Sequence, residues 1–205
     1  MKNNSFFKNC LALLLITLVA GFALATVNEV TKAPIAAAEE KAKFEAYETV
    51  FPDVKFEALE DTESLLQNAS SAIEAKGLNG CTVDDVLAAK DGNGNIIGYV
   101  MSATSPSGYG GNIQVALGVS NADSKITGFS VLSANETAGL GAKCTEDDFK
   151  GQFTGKSSNG INFTKSGAST DTEIDAISGA TITTSAVTDA VNGALAFYND
   201  VLKEG

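Results

Sequence analysis

The sequence has no histidine, no arginine and no tryptophan. All 14 basic residues are lysines, set against 25 acidic ones, and the net charge is −11. Without histidine there is no Ser-His-Asp or Cys-His catalytic system and no imidazole metal ligand. Without arginine there is no bidentate guanidinium clamp for phosphate or carboxylate. So acidic a chain is excluded as a nucleic-acid binder, because neutralising phosphates supplies most of that affinity. Only three cysteines occur, Cys10, Cys81 and Cys144. They fall outside any C-x-x-C spacing, so no metal or iron–sulfur centre is expected from this chain alone. Two readings of Cys81 and Cys144 stand side by side: a disulfide in an oxidising compartment, or two reduced thiols packed as small apolar groups.

What is present is a chain of 205 residues, 44% hydrophobic and 19% charged, enough for one packed domain. No charge occurs from Asn9 to Asn28. Twenty helical residues span about 30 Å, the thickness of a bilayer core. Lys2 and Lys8 precede the run; Glu29, Lys32, Glu39 and Glu40 follow it. This bias predicts a cytoplasmic N-terminus, residues 1–8, and a transmembrane helix, 9–28, with the remainder outside. The competing reading is a cleaved signal peptide, for which Ala23-Leu24-Ala25 offers a small-residue site. The run is longer than a typical apolar signal region and continues into helix-forming sequence, so a retained anchor is expected.

Residues 29–52 read as a connecting helix, with Phe44, Tyr47 and Phe51 on one face and Pro52 as its stop. Residues 53–205 read as one α+β domain with an antiparallel-rich sheet and flanking helices. A second helix is predicted over Asp61–Lys76, with Gly77 as its C-terminal cap. Strands are predicted over Thr82–Ala89, Ile96–Ala103, Asn112–Ser120 and Ile126–Leu132, joined by turns such as Asp91-Gly-Asn-Gly-Asn95. Thr145–Ser166 shows little regularity. A last helix is predicted from about Thr184 to Leu202, with Thr183, Thr184 and Ser185 as candidate caps.

Two segments are chemically distinctive. The first, Asp175-Ala-Ile-Ser-Gly-Ala-Thr-Ile-Thr-Thr-Ser185, is a run of small and hydroxyl residues entering that last helix. Free N–H groups and the positive end of a helix dipole favour an anion there. A plain capped helix start explains the same composition. The second comprises Gly108-Tyr-Gly-Gly111 before one strand and Glu136-Thr-Ala-Gly-Leu-Gly-Ala-Lys143 after the next. Both are glycine-rich loops that let backbone approach a flat ligand. Their spacing is not that of a dinucleotide fingerprint.

Taken together, the apolar helix, the GYGG and ETAGLGAK loops and the D-x-x-SGAT segment resemble the FMN-binding domain proteins of membrane electron-transport complexes. The nearest likeness is to the G subunits of Rnf-type ion-translocating ferredoxin:NAD oxidoreductases, related to the C subunits of Na⁺-translocating NADH:quinone reductases. The resemblance implies that the hydroxyl of Thr181 is joined to the phosphate of FMN, a covalent cofactor. It also implies a Mg²⁺-dependent flavin transferase that uses FAD as donor and recognises Asp175. Ser178, Gly179 and Ala180 would leave Thr181 accessible. Tyr109, Thr137, Gly139 and Leu140 are the candidates to flank the ring, with Leu140 packed on it and Thr137 bonded to its polar edge. The implied role is an electron relay among the other membrane and peripheral subunits of an Rnf-type complex. Two other functions remain: an anchored extracytoplasmic flavoprotein of another reductase system, and an anchored binding module without cofactor.

Overall fold

The computed structural model of the chain describes residues 3–78 and 80–203, with side chains from residue 6 onward. Lys2, half of the orientation argument, lies outside the described residues. The chain divides into two units that meet between Ala42 and Lys43.

Helix α1 (Asn3–Val50) is continuous. The expected anchor and connecting helix are therefore segments of one element. Pro34 lies inside it and removes one N–H donor from its ladder. Its most apolar 18-residue stretch has a mean hydropathy of 2.6, long and apolar enough to cross a membrane.

The second unit takes in the last turns of α1. Its sheet is an antiparallel meander of β1 (Lys55–Ala58), β2 (Thr82–Lys90), β3 (Ile96–Gly108), β4 (Gly111–Ser120) and β5 (Lys125–Ala134), in that spatial order. One face receives the end of α1, where Tyr47 and Val50 are fully buried with Ala89, Val100 and Ala116. Gly118 and Gly128 make that approach feasible. A Cβ at Gly118 would lie 2.8 Å from the Val50 carbonyl oxygen, and one at Gly128 2.6 Å from the Val50 Cα. The Thr127 hydroxyl donates to the same carbonyl at 2.7 Å and closes the helix end. Lys43 and Tyr47 both donate to the Asp85 carboxylate, at 2.6 and 3.2 Å.

The other face is covered by α2 (Thr62–Ala75) and α4 (Thr181–Phe197). Gly77 follows α2 at φ +74°, as a C-terminal cap requires. Helix α4 buries Val187, Val191, Leu195 and Phe197, and its alanines at 186, 190 and 194 let it lie close to the strands. A π turn, Tyr198–Leu202, continues it. Both Cys81 and Cys144 are buried free thiols, which decides that question for packing and against a disulfide.

The structure corrects two boundaries, adds the edge strand β1 where no strand was expected, and orders the irregular stretch. Strand β3 runs past Ala103 to Gly108 and pairs with β4 through Gly108↔Gly111, so GYGG is the tip of a hairpin. Helix α4 begins at Thr181, ahead of the expected Thr184, and no side chain caps it. The expected caps fall inside its first turns, where Thr183 and Thr184 bond elsewhere. The irregular stretch is ordered by anchors: Phe153 stacks on Phe129 with centroids 4.1 Å apart, and Phe149 and Ile161 are buried. It holds a short helix α3 (Asp147–Lys150), and strand β6 (Asn162–Thr164) pairs in parallel with β7 (Glu173–Asp175).

Candidate functional site

Three pieces of chain, distant in sequence, enclose a cavity of about 500 Å³. The hairpin tip contributes Tyr109. The turn after β5 contributes Glu136, Thr137, Leu140 and Gly141. The start of α4 contributes Gly179, Ala180, Thr181, Ile182 and Thr183. Tyr109, Leu140 and Ile182 expose 71, 46 and 54% of their surface, so the rim is apolar although it faces solvent. That is the profile of a ligand-binding or contact surface.

The turn after β5 is tight. The Thr137 carbonyl accepts both the Leu140 and Ala142 N–H groups at 3.1 Å. Gly139, just before Leu140, has φ +75°, a conformation that favours glycine. The turn ends in a 3₁₀ segment, Gly141–Thr145. Leu140 leans toward α4, and a Cβ on Gly179 would come within 3.3 Å of its Cδ2.

At the floor stands the N-terminus of α4. Its N-cap is Ala180, and the first main-chain helical bond runs from the Thr184 N–H to the Ala180 carbonyl at 3.0 Å. The N–H groups of the first turn precede that bond and carry the positive end of the helix dipole. No lysine lines the cavity among the described residues.

The hydroxyls of this turn are not equivalent. Thr184, fully buried, donates to Ala180 and accepts the Ile177 N–H at 3.1 Å. Thr183, 1% exposed, donates to Glu136 at 2.7 Å. Thr181 is half-buried, lines the cavity, and its hydroxyl has no hydrogen-bond partner among the described residues.

Of the residues singled out in the sequence, Tyr109, Thr137, Leu140, Gly179, Ala180 and Thr181 meet in this cavity. Gly139 shapes the turn without lining it. Asp175 and Ser178 lie on a neighbouring cleft of about 180 Å³, with Lys143 and Gln152. There the Asp175 N–H donates to the Gln152 side-chain carbonyl at 2.6 Å, and its carboxylate accepts the Ala168 N–H at 2.7 Å. Glu136 and Gly141 also line the cavity, within the loop expected to flank the ring though without a role of their own there; Ile182 and Thr183 are cavity residues that the sequence did not assign to the site. One sign was available for Glu136: it is the only acid in the two glycine-rich loops.

Burial pushes the Cys144 thiol up to about 11, and the charge of Glu136 adds to the effect. Cys81 is raised by burial as well. Both shifts favour the protonated thiol, the weaker nucleophile.

A model of the FMN-binding domain family matches residues 108–196, which include all three pieces of the cavity wall. The G subunit of the Na(+)-translocating ferredoxin:NAD(+) oxidoreductase complex of Acetobacterium woodii is 36% identical over 202 residues, 96% of this chain and 93% of that protein. The G subunit of the ion-translocating oxidoreductase complex of Methanosarcina acetivorans is 37% identical over 150 residues, 70% of this chain and 77% of that protein. The G subunit of the proton-translocating ferredoxin:NAD(+) oxidoreductase complex of Clostridium ljungdahlii is 43% identical over 111 residues, 54% of this chain and 58% of that protein. The chain thus belongs to the family of G subunits of ion-translocating oxidoreductase complexes, built on an FMN-binding domain.

Proposed function

We propose that this protein is an electron-carrying subunit of a membrane-bound, ion-translocating oxidoreductase complex of the Rnf type, with FMN esterified through its phosphate to Thr181. Family membership supports the electron-transport role. The observation that carries the attachment point is the division of labour among the hydroxyls: Thr183 and Thr184 are buried and committed, and Thr181 is unpartnered at the cavity floor.

The residues present fit the cofactor. The volume of about 500 Å³ falls within the range of ligand pockets. Tyr109, Leu140 and Ile182 offer apolar surface to a flat ring system, and Thr137 a polar contact at its edge. The α4 N-terminus suits a phosphodiester, which carries one negative charge and needs no lysine or arginine there. FMN, when bound, supplies one- and two-electron chemistry. The polypeptide supplies position, partial exclusion of water, and field.

Attachment requires a transferase, for which a Mg²⁺-dependent enzyme with FAD as donor is proposed. The Thr181 oxygen forms a bond to the FMN phosphorus, the anhydride bond of FAD breaks, AMP leaves, and the hydroxyl proton is released. Asp175 is proposed as part of what that enzyme reads. It lies on the adjoining cleft and not in the cavity, which leaves it accessible. Ser178 and Gly179 are exposed, and Ala180 is small, so the approach to Thr181 is open.

For placement we propose that residues 9–28 span the membrane, 1–8 lie on the cytoplasmic side, and 29–52 form the connecting helix. Residues 53–205, with the docked helix end, form the FMN-binding domain outside the cytoplasm. The partners are the other subunits of the complex. The relatives are named for different ions, sodium in one and protons in another, so the ion is not carried over.

The test is co-expression with a flavin transferase, followed by ultraviolet illumination of a denaturing gel and intact mass. The wild type should fluoresce and gain the mass of FMN less one water. Thr181→Ala should do neither, and Thr181→Ser should retain part of the label. Covalent flavin on Thr181→Ala, mapped to Thr183 or Thr184, would overturn the assignment.

A further inference from the structure

Glu136 does two things in the cavity wall that its neighbours do not. It joins all three wall segments. One carboxylate oxygen, Oε1, accepts the Gly110 N–H of the hairpin tip at 3.0 Å, and the other, Oε2, accepts the Thr183 hydroxyl of α4 at 2.7 Å. Neighbouring glycines leave room for this clamp. A Cβ on Gly108 would stand 2.9 Å from Oε1, and one on Gly141 would collide with both Oε2 and the Thr183 hydroxyl. A Cβ on Gly110 would overlap the Asn135 carbonyl, just before the clamp residue. Of the loop glycines, Gly141 gives this carboxylate its space most directly; at Gly108 and Gly110 backbone carbonyls crowd a Cβ first, and Gly111 and Gly139 have positive φ.

It also brings an unneutralised charge. Among the described residues no lysine is within ion-pair distance of Glu136, and the cavity wall contains no basic side chain. Behind this wall the Cys144 thiol is pushed up first by burial, and the Glu136 charge adds to that.

We propose that Glu136 is the positioning residue of this site, holding its three walls together, and that its charge lowers the reduction potential of a ring bound there. The inference rests on the flavin reading given above. Each electron accepted without a proton adds negative charge to the ring. A half-buried carboxylate in the cavity wall opposes that charge.

The two roles separate by substitution. In Glu136→Gln the amide oxygen can accept the Gly110 N–H, and the amide NH₂ can donate to the Thr183 hydroxyl, which also accepts. The clamp survives with one bond reversed, and only the charge is lost. The full chain, flavin-loaded in detergent, is titrated spectroelectrochemically, and the flavin-free chain is melted. Glu136→Gln should load, melt near the wild type, and show a more positive midpoint potential. Glu136→Ala should melt lower and show an altered flavin absorption band. If Glu136→Ala fails to fold, Thr183→Val replaces it, removing one donor and lowering the melting temperature.

A Glu136→Gln protein with unchanged potential overturns the electrostatic role, and so does one that cannot be loaded, since attachment would then need the charge. Wild-type melting in both Glu136→Ala and Thr183→Val overturns the clamp. A wild-type chain that takes no flavin overturns the flavin reading and the tuning with it, and the flavin-free melts still judge the clamp.

Discussion

Single residues of this site differ in why they are what they are, and the differences are measurable. Gly139 needs glycine for its backbone angle, and a Cβ there meets nothing within 4 Å. Gly141 has an ordinary backbone angle but no space. Gly139→Ala should therefore cost about 1 kcal/mol, and Gly141→Ala about 1–3 kcal/mol through forced displacement of Glu136 and Thr183. Urea midpoints check the order, and a Gly139 variant less stable than the Gly141 variant contradicts it. Gly139→Val should still accept covalent flavin but shift its spectrum, because the turn carrying Leu140 is reshaped. The buried thiols give a second prediction. Burial pushes Cys144 up to about 11 and raises Cys81 above its ordinary value, which favours the protonated thiols at pH 8. Reaction with iodoacetamide needs the thiolate and access. Mass analysis should find Cys81 and Cys144 unmodified in the folded chain and both modified after denaturation. Replacing all three cysteines by serine should leave flavin attachment intact.

Among the elements, β7 carries Asp175, the start of the proposed attachment motif. It is three residues long and pairs only with β6 in the described sheet. Gln152 substitutes for a further strand: its side-chain carbonyl accepts the Asp175 N–H at 2.6 Å. If the transferase reads Asp175 as proposed, this bond holds the segment that it reads. Gln152→Ala should slow flavin transfer several-fold in a time course with the transferase, without loss of far-ultraviolet circular dichroism. An unchanged rate in a folded variant would remove Gln152 from the display of the motif. Helix α4 has a related division of labour. Its C-terminal two-thirds are fixed by Val187, Val191, Leu195 and Phe197 in the core. Its first turn is thereby held in place without a side-chain cap, which leaves its N–H groups for a ligand.

At the scale of the molecule, the continuous α1 joins the apolar segment to the domain core, where Tyr47 and Val50 are buried. A chain beginning at Thr31 keeps Lys43–Val50 and should be soluble, folded and competent for flavin attachment. A chain beginning after Val50 would leave Ala89, Val100 and Ala116 uncovered and should aggregate. Size-exclusion chromatography of the two distinguishes them; equal behaviour would mean that the α1 end contributes little to the domain. N-terminal sequencing of the full-length protein from membranes should read from the initial residues. A start at Thr26 would identify the apolar run as a cleaved leader.

How much of the molecule is legible in its sequence follows the range of the interactions. The uncharged run Asn9–Asn28, the alternating strands and the helix stripe are local patterns, fixed by residue type and spacing, and they identify the helices and the antiparallel sheet. The contiguous Asp175–Thr181 motif can be read for the same reason. The hairpin at GYGG escapes because Pro106 and the serines around it weaken the strand signal, and pairing with β4 carries the strand through. The start of α4 reads late because its hydroxyls look like caps; their actual partners are Glu136 and the Ala180 carbonyl. Glu136 itself acts on Gly110 and on Thr183, 26 and 47 residues away, and nothing periodic in a sequence encodes such a bond. The sequence by itself determined the long helices, the four longer strands of the sheet and the motif; the short β1, α3, β6 and β7 carry too few residues for a periodic signal. Only the tertiary structure decided which hydroxyl is free and which acid closes the site, because both depend on groups that meet solely when the sheet and α4 are packed.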